Sequence, residues 1–172
     1  QSRGLGDVYK RQWTNRGTGP LNDTDLFNET FGANANAARG VVDAVLQQWE
    51  DIIVDWNRPS LGNTITIDIT MNAGGTGFGG SAGTAIGTGL EAGYPISGGI
   101  FLDRGNDTTG DGLGDGDGYF LDPTPFDNVE YDGPIQHAFT ADASGTSPAS
   151  GLFDFYTPVS YTHLTLPTKS SG

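Results

Sequence analysis

The clearest pattern of apolar positions in the chain lies between residues 34 and 56. Apolar side chains recur there every three or four residues and would form one broad face of a helix. These positions are Ala38, Val41, Val42, Val45, Leu46, Trp49, Ile52, Ile53 and Trp56. Charged residues such as Arg39 and Asp43 fall mostly on the opposite side. The pattern predicts a long amphipathic helix that packs against another element.

In the segment after this helix, apolar side chains recur at every second residue. Residues 64–71 alternate apolar and polar side chains, which is typical of a strand with one buried and one solvated face. Residues 99–103 (GIFLD) predict a second strand, and residues 84–88 and 135–139 are weaker candidates. Residues 74–89 hold eight glycines in sixteen positions. Because backbone entropy disfavours glycine inside regular elements, we expect a long flexible loop there.

Length and composition limit the architecture. A chain of 172 residues suits one domain. Only 35% of the residues are hydrophobic, and 28 glycines and 9 prolines imply long loops between few regular elements. We therefore expect an α/β (α+β) domain in which the long helix packs on a twisted mixed sheet. The absence of cysteine from the sequence excludes disulfides and thiolate chemistry.

Both ends of the chain resemble translated sequencing-adapter or vector sequence. These segments are residues 1–12 (QSRGLGDVYKRQ) and 158–172 (PVSYTHLTLPTKSSG), and they are set aside from the fold prediction. A native basic arm and a native tail are the alternative. The expected domain is residues 13–157, which carries four arginines, no lysine and twenty of the 21 carboxylates, a net charge of −16. Such a field repels nucleic acid and anionic membranes and favours cations, so neither nucleic acid nor membrane is a predicted partner.

The acidic residues concentrate in one segment. Nine carboxylates lie within thirty residues, between positions 103 and 132, beside only one arginine. Calcium takes six to eight oxygen ligands, and the glycines of GDGLGDGDG would let the backbone wrap around an ion. The predicted ligands are Asp111, Asp115, Asp117 and Asp122. An EF-hand does not fit, since Leu113 occupies a ligand position and the closing glutamate is missing. The alternative is a solvated acidic loop without an ion.

Other motifs give weaker signals. Gly75, Gly77 and Gly80 have the GxGxxG spacing of a dinucleotide site, but the glycines that follow would prevent the required helix. His137 is the one histidine outside the suspected tail, which contains His163. A zinc site needs three or four convergent ligands, so a structural, hydrogen-bonded role is predicted for His137. No catalytic residue is predicted.

Five segments follow one another along residues 13–157. They are LQQWEDIIVDW, TITIDITM, GYPISGGIFLDRG, DGYFLDPTPFDNVEY and SGLFDFYT. In this order the chain resembles the front of a metzincin-like metallopeptidase domain of secreted bacterial proteins. The resemblance implies a mostly parallel sheet on a long helix, an acidic loop suited to calcium, and an active-site cleft along an edge of the sheet.

In that family the segment corresponding to SGLFDFYT runs directly into a helix bearing HExxH. The two histidines of that motif bind zinc, and its glutamate takes a proton from the zinc-bound water. Here PVSYTHLTLPT follows Thr157 instead. The resemblance therefore implies an inactive N-terminal fragment of a secreted zinc-dependent endopeptidase, whose parent acts on protein or peptide substrates. The alternative is a non-catalytic extracellular calcium-binding or adhesion module.

Overall fold

The computed structural model describes residues 10–19, 21–53, 62–127, 129–131, 135–137, 140–141 and 146–164. Its centre is a mixed sheet of four strands, in the order β1 (Lys10–Trp13), β2 (Thr64–Met71), β4 (Pro95–Leu102) and β3 (Gly80–Ile86). Strands β1, β2 and β4 run parallel, and β3 lies antiparallel to β4 at the edge. The predicted α+β architecture with a mixed sheet is confirmed.

The connection from β1 to β2 is helical, as parallel neighbouring strands require a crossover. It consists of α1 (Phe27–Phe31), a 3-10 turn and α2 (Ala35–Ile52). Helix α2 confirms the predicted long helix but ends earlier than expected, because Ile53 is already extended. The side chain of Ile52 is 62% exposed, so the apolar repeat no longer follows the buried face there. Residues 54–56 of the prediction lie outside the described residues.

The core lies between α2 and one face of the sheet. The apolar side chains of β2 all point to that face, as their alternation predicted. The residues packed there with at most 1% exposure are Ala38, Val41, Val42, Val45, Ile65, Ile67, Ile69, Met71, Ile100 and Leu102. Burial of each large apolar side chain contributes roughly 1.5–3 kcal/mol. This layer therefore holds the helix on the sheet.

Arg39 was expected on the polar side of the helix, and that expectation is wrong. Its side chain is fully buried. The guanidinium donates from Nε to Asp25 Oδ2 (2.8 Å) and from Nη2 to Asp25 Oδ1 (2.6 Å), and it also reaches Asp23 and Asn28. Helical periodicity could not reveal this position, because the partner carboxylates Asp25 and Asp23 precede Arg39 by 14 and 16 residues and lie outside α2.

The flexible loop predicted for residues 74–89 is wrong for residues 80–86, which form β3. The strand pairs with β4 from Gly80 opposite Leu102 to Ile86 opposite Pro95, with one shift of register between Ala85 and Ile86. Glycine costs roughly 0.5–1 kcal/mol per residue in a strand relative to alanine, and these ladder bonds offset that cost. The weaker candidate at 84–88 is confirmed only for its first three residues. That at 135–139 is confirmed in β6 (Ile135–His137), which pairs with β7 (Thr140–Ala141).

A second small sheet joins the C-terminal part of the described chain to the core. Strand β5 (Tyr119–Phe120) runs parallel to β8 (Phe153–Asp154), and α3 (Tyr156–Leu164) follows at once. Phe155 packs edge-on against Tyr119 and Phe31, with ring centroids 4.9 and 5.2 Å apart. Helix α3 contacts α2, β3 and β4. Parts of β1 and α3 belong to the end segments that the sequence analysis set aside, and the origin of those segments stays a prediction.

Candidate functional site

Residues 103–118, between β4 and β5, form the aspartate loop. The loop lies against the glycine-rich segment 72–79. Gly77 and Gly105 exchange two backbone hydrogen bonds of 2.9 and 2.7 Å. The hydroxyl of Tyr119 donates to the carbonyl of Asp103 at 3.0 Å. These bonds fix the base of the loop on the sheet.

Backbone and hydroxyl groups satisfy most carboxylates of the aspartate loop. Asp107 accepts from the amides of Gly112 (2.8 Å) and Gly110 (2.5 Å), and these bonds hold its pKa below the usual range. Asp115 Oδ2 accepts from the hydroxyl and the amide of Thr108, which lowers the pKa of Asp115. Asp115 Oδ1 is buried without a hydrogen bond. Asp111 is exposed and accepts from the amide of Leu113 at 2.8 Å.

The glycines of the aspartate loop have a packing role. Gly116 and Gly118 both have positive φ, of 77° and 84°. A Cβ atom at Gly116 would lie 2.4 Å from the ring of Phe31, and one at Gly118 would lie 2.5 Å from the side chain of Asn106. Close packing on the core therefore requires glycine at these positions, in addition to any role that the glycines have in binding an ion.

The four predicted calcium ligands do not share one cleft. Asp115 and Asp117 line a cleft beside Phe31, whereas Asp122 lines a second cleft of about 150 Å³. Asp111 lines neither. Within the described parts of the chain, no three histidine or carboxylate side chains already form a group that could hold a metal ion.

The second cleft is lined by Asp122, Asp127 and Asp154. Together with Glu130, on which the charges of Asp122 and Asp127 act, these residues form an acidic cluster. Asp122 and Glu130 are only 6% and 8% exposed. The turn after β5 positions Asp122, whose Oδ1 accepts from the amide of Thr124 at 2.7 Å. The start of α3 positions Asp154, which accepts from the amide of Tyr156 (3.0 Å) and the hydroxyl of Thr157 (2.8 Å). The cluster thus joins the turn after β5 to the start of α3.

The surroundings of Glu130 and Asp154 favour the neutral form of both carboxyl groups. Burial raises the pKa of Glu130, and the charges of Asp122 and Asp127 raise it further. Burial also raises the pKa of Asp154, and the hydrogen bonds from Thr157 and Tyr156 do not cancel that effect.

Three arginines of the described ranges form ion pairs with carboxylates outside the cluster. The ion pairs formed there join Arg16 to Asp43, Arg39 to Asp23 and Asp25, and Arg104 to Glu29. All three arginines are thus directed at carboxylates outside the cluster. None of these ion pairs offsets the charge of the acidic cluster.

Two polar atoms near the cleft are buried without a hydrogen bond, namely Glu130 Oε1 and the hydroxyl of Tyr156. The hydroxyl of Tyr131 interacts with Asp154 and so lowers the pKa of that carboxyl group, against the larger effect of burial. Both tyrosines line the same cleft as Asp122 and Asp154. Burial raises the pKa of both tyrosines, so their hydroxyls stay protonated at neutral pH.

Sequence reasoning identified Asp122 but not the rest of this cluster. The sequence places Glu130 in the acidic segment 103–132 but does not show that it is buried. The available signal was the segment DPTPFDNVEY, which carries three carboxylates next to a tyrosine. His137 lies in β6 and His163 in α3, but the side chains of both lie outside the described residues, so their predicted roles stay predictions.

No helix in the described part of the chain is long and apolar enough to cross a bilayer. Comparisons of the chain with protein-family models, with curated proteins and with solved structures found no match in any of the three.

Proposed function

We propose that this chain is the N-terminal part of a secreted zinc-dependent endopeptidase of metzincin-like type. The observation that carries the proposal is the course of the chain through SGLFDFYT, where β8 pairs with β5 and a helix begins at Tyr156, two residues before the segment set aside as adapter-like sequence. The resemblance expects the active-site helix directly after SGLFDFYT, and α3 begins at Tyr156 within that segment. Helix α3 contacts the edge strand β3 and its neighbour β4. This arrangement supports a cleft beside the edge of the sheet.

The edge strand supports the same proposal through its backbone. Strand β3 pairs with β4 on one side, and in the described residues no strand pairs with its other side. Its side chains are small except Ile86, so its free backbone groups are accessible. An extended peptide could add to this edge by main-chain hydrogen bonds, a common mode of peptide binding. A protein or peptide substrate suits such a groove.

The residues present do not fit a zinc site. Zinc requires three or four convergent ligands, and catalytic sites keep one position for water. Helix α3 carries His163 but no second histidine one turn away, and the sequence has one other histidine, His137. We therefore expect no hydrolysis of casein by this chain. The zinc ligands and the general base would belong to the parent protein.

A calcium-binding or adhesion module is the second candidate function. The acidic cluster favours it, because Glu130 is buried with an unpartnered oxygen and its charge meets no cation among the ion pairs described above. A domain of this kind would use its charge to bind ions and would need no catalytic motif. Calcium binding alone does not separate the two candidates, since both are compatible with it.

The native DNA downstream of the Thr157 codon tests the proposed function. We expect an HExxH motif within about ten codons, since such a motif must lie on the helix that follows SGLFDFYT. The extended protein should then cleave a labelled peptide in the presence of zinc, and replacement of the motif glutamate by glutamine should abolish cleavage. A reading frame that continues without the motif would favour the calcium-binding module. Genomic DNA that encodes PVSYTHLTLPT would contradict the fragment proposal.

A further inference from the structure

We propose that the peptide bond between Asp122 and Pro123 is a self-cleavage site, at which the side chain of Asp122 acts as nucleophile and Glu130 supplies a proton. The sequence contains 9 prolines, and Pro123 alone follows an aspartate. The step uses only groups of this chain and water. It is independent of the endopeptidase assignment, since none of these residues belongs to a zinc motif.

The chemistry of an Asp–Pro bond suits this reaction. The nitrogen of Pro123 belongs to a tertiary amide, so it leaves more readily than an ordinary peptide nitrogen once it is protonated. The carboxylate of Asp122 and the carbonyl carbon that it attacks belong to the same residue. Nucleophile and target are therefore held together before the reaction begins. Aspartate carboxylates also serve as nucleophiles that form covalent intermediates in enzymes.

The reaction proceeds through a cyclic anhydride. A carboxylate oxygen of Asp122 forms a bond to the backbone carbonyl carbon of the same residue, and the bond from that carbon to the nitrogen of Pro123 breaks. Glu130 gives its proton to the leaving nitrogen, which becomes a secondary amine. Water then opens the anhydride, which restores the side chain of Asp122, leaves a new carboxyl terminus and returns a proton to Glu130. No atom is oxidised or reduced.

The structure holds the nucleophile and the proton donor next to each other. Asp122 is only 6% exposed, and its Oδ1 atom accepts from the amide of Thr124 at 2.7 Å, which folds the carboxylate over the bond to Pro123. Glu130 is 8% exposed and interacts with the carboxyl group of Asp122 by charge and by a side-chain hydrogen bond. Glu130 Oε1 is buried without a hydrogen bond, so a proton on this group has no other acceptor in the described residues.

The surroundings favour a protonated Glu130 and admit water. Burial and the charges of Asp122 and Asp127 raise the pKa of Glu130, so it keeps its proton at a mildly acidic pH. Pro123 is exposed, and Asp122 lines the cleft of about 150 Å³, so water can reach the anhydride. The titratable groups that face Asp122 are Asp127, Glu130, Tyr131, Asp154 and Tyr156.

The two products should stay associated in the folded state. Strand β5 lies before the cleaved bond, whereas β8 and α3 lie after it. The pairing of β5 with β8 and the contacts of α3 with α2, β3 and β4 hold the parts together without the peptide bond. Cleavage is therefore visible only when the chain is denatured after the reaction.

Incubation of the full chain at about pH 5, followed by mass spectrometry under denaturing conditions, tests the proposal. We expect fragments of residues 1–122 and 123–172, formed at least about tenfold faster in the folded chain than in the same chain unfolded in urea. The unfolded chain keeps the Asp–Pro bond but loses the contact between Asp122 and Glu130. Circular dichroism verifies the folded state at this pH. Equal rates in the two states, or no fragments from the folded chain, overturn the proposal.

Substitutions identify the proton donor. Glu130→Gln should slow cleavage of the folded chain by about tenfold or more and leave the rate in urea unchanged, because an amide is a poor proton donor. The wild-type rate should fall as the pH rises through the folded pKa of Glu130, and this dependence should be absent from Glu130→Gln. The matched control Asp111→Asn should cleave within about twofold of the wild type, since Asp111 is exposed in the aspartate loop. A wild-type rate in folded Glu130→Gln overturns the proposal.

Discussion

Asp25 and Glu130 are both buried carboxylates, but their surroundings shift the two pKa values in opposite directions. Asp25 is fully buried, yet the hydrogen bonds from Arg39, Gly17 and Phe27 outweigh the effect of burial and hold its pKa below the usual range. Glu130 is 8% exposed, and burial among other carboxylates raises its pKa. Burial alone therefore does not decide the charge of a carboxyl group, because the counter-charge around it matters as much.

The arginines explain how this difference arises. Three arginines hold the helical segment to its surroundings: Arg39 binds Asp25, Arg104 binds Glu29, and Arg16 binds Asp43. Arg104 follows β4, yet its guanidinium reaches back to α1. The N-terminal part of the fold thus has internal cations, and none of these three ion pairs includes a carboxylate of the acidic cluster.

The largest expected effect comes from removing the internal cation. Arg39→Met should lower the free energy of unfolding by about 3–5 kcal/mol, because it leaves Asp25 buried without its partner. Urea unfolding followed by circular dichroism measures the change. The control is Arg16→Met, whose ion pair with Asp43 is 40% and 48% exposed, and which should cost at most about 1 kcal/mol. Equal effects of the two substitutions would show that Arg39 does not compensate a buried charge.

Replacing the carboxylate by its amide should change the free energy of unfolding in opposite directions at Glu130 and at Asp25. Without calcium at pH 7, Glu130→Gln should raise the free energy of unfolding, because it removes a charge that burial and the neighbouring Asp122 and Asp127 disfavour. Asp25→Asn should lower it, because it removes the charge that Arg39 requires. Urea midpoints at matched pH measure both changes. A loss of stability in both variants would contradict the contrast drawn between the two sites.

The dependence of stability on pH should separate the two carboxylates further. The folded pKa of Glu130 is raised, so its contribution is favourable at low pH and is lost as pH rises through that pKa. The folded pKa of Asp25 is lowered, so its contribution is present above the ordinary carboxyl range and is lost as pH falls through the folded value.

The gain from Glu130→Gln should therefore grow between about pH 4 and pH 7, and the loss from Asp25→Asn should shrink below about pH 4. Unfolding midpoints across this range, without calcium, measure both trends. A gain from Glu130→Gln that is independent of pH would mean that Glu130 does not ionise in the folded protein.

The smallest effect is expected in the aspartate loop. Asp111→Asn should change the free energy of unfolding by less than about 0.5 kcal/mol, since Asp111 is exposed and its one described hydrogen bond joins the amide of Leu113. Thermal unfolding with and without calcium measures this change. A loss of several degrees only when calcium is present would instead place an ion in the loop.

The periodicity of apolar residues within single segments predicted the main elements of the fold. The features that it missed depend on contacts between residues that are distant in the sequence. Helix α2 and strand β2 follow from periods that lie within one segment. Residues 80–83 of β3 were missed because their strand conformation comes from pairing with residues 99–102 of β4. The ion pair of buried Arg39 depends on Asp25, and the raised pKa of Glu130 depends on burial and on the charges of Asp122 and Asp127. Asp122 was predicted as a ligand, but its neighbours in the cluster come together only in the tertiary structure.

Carbon-13 NMR titration of the carboxyl groups of Asp25 and Glu130 tests the central claim most directly. The claim is that Asp25 has an internal counter-charge in Arg39, whereas Glu130 is buried beside other carboxylates. We expect the pKa of Glu130 to lie above the ordinary carboxyl range and that of Asp25 to lie below it. A pKa of Glu130 at or below the ordinary range would contradict the account.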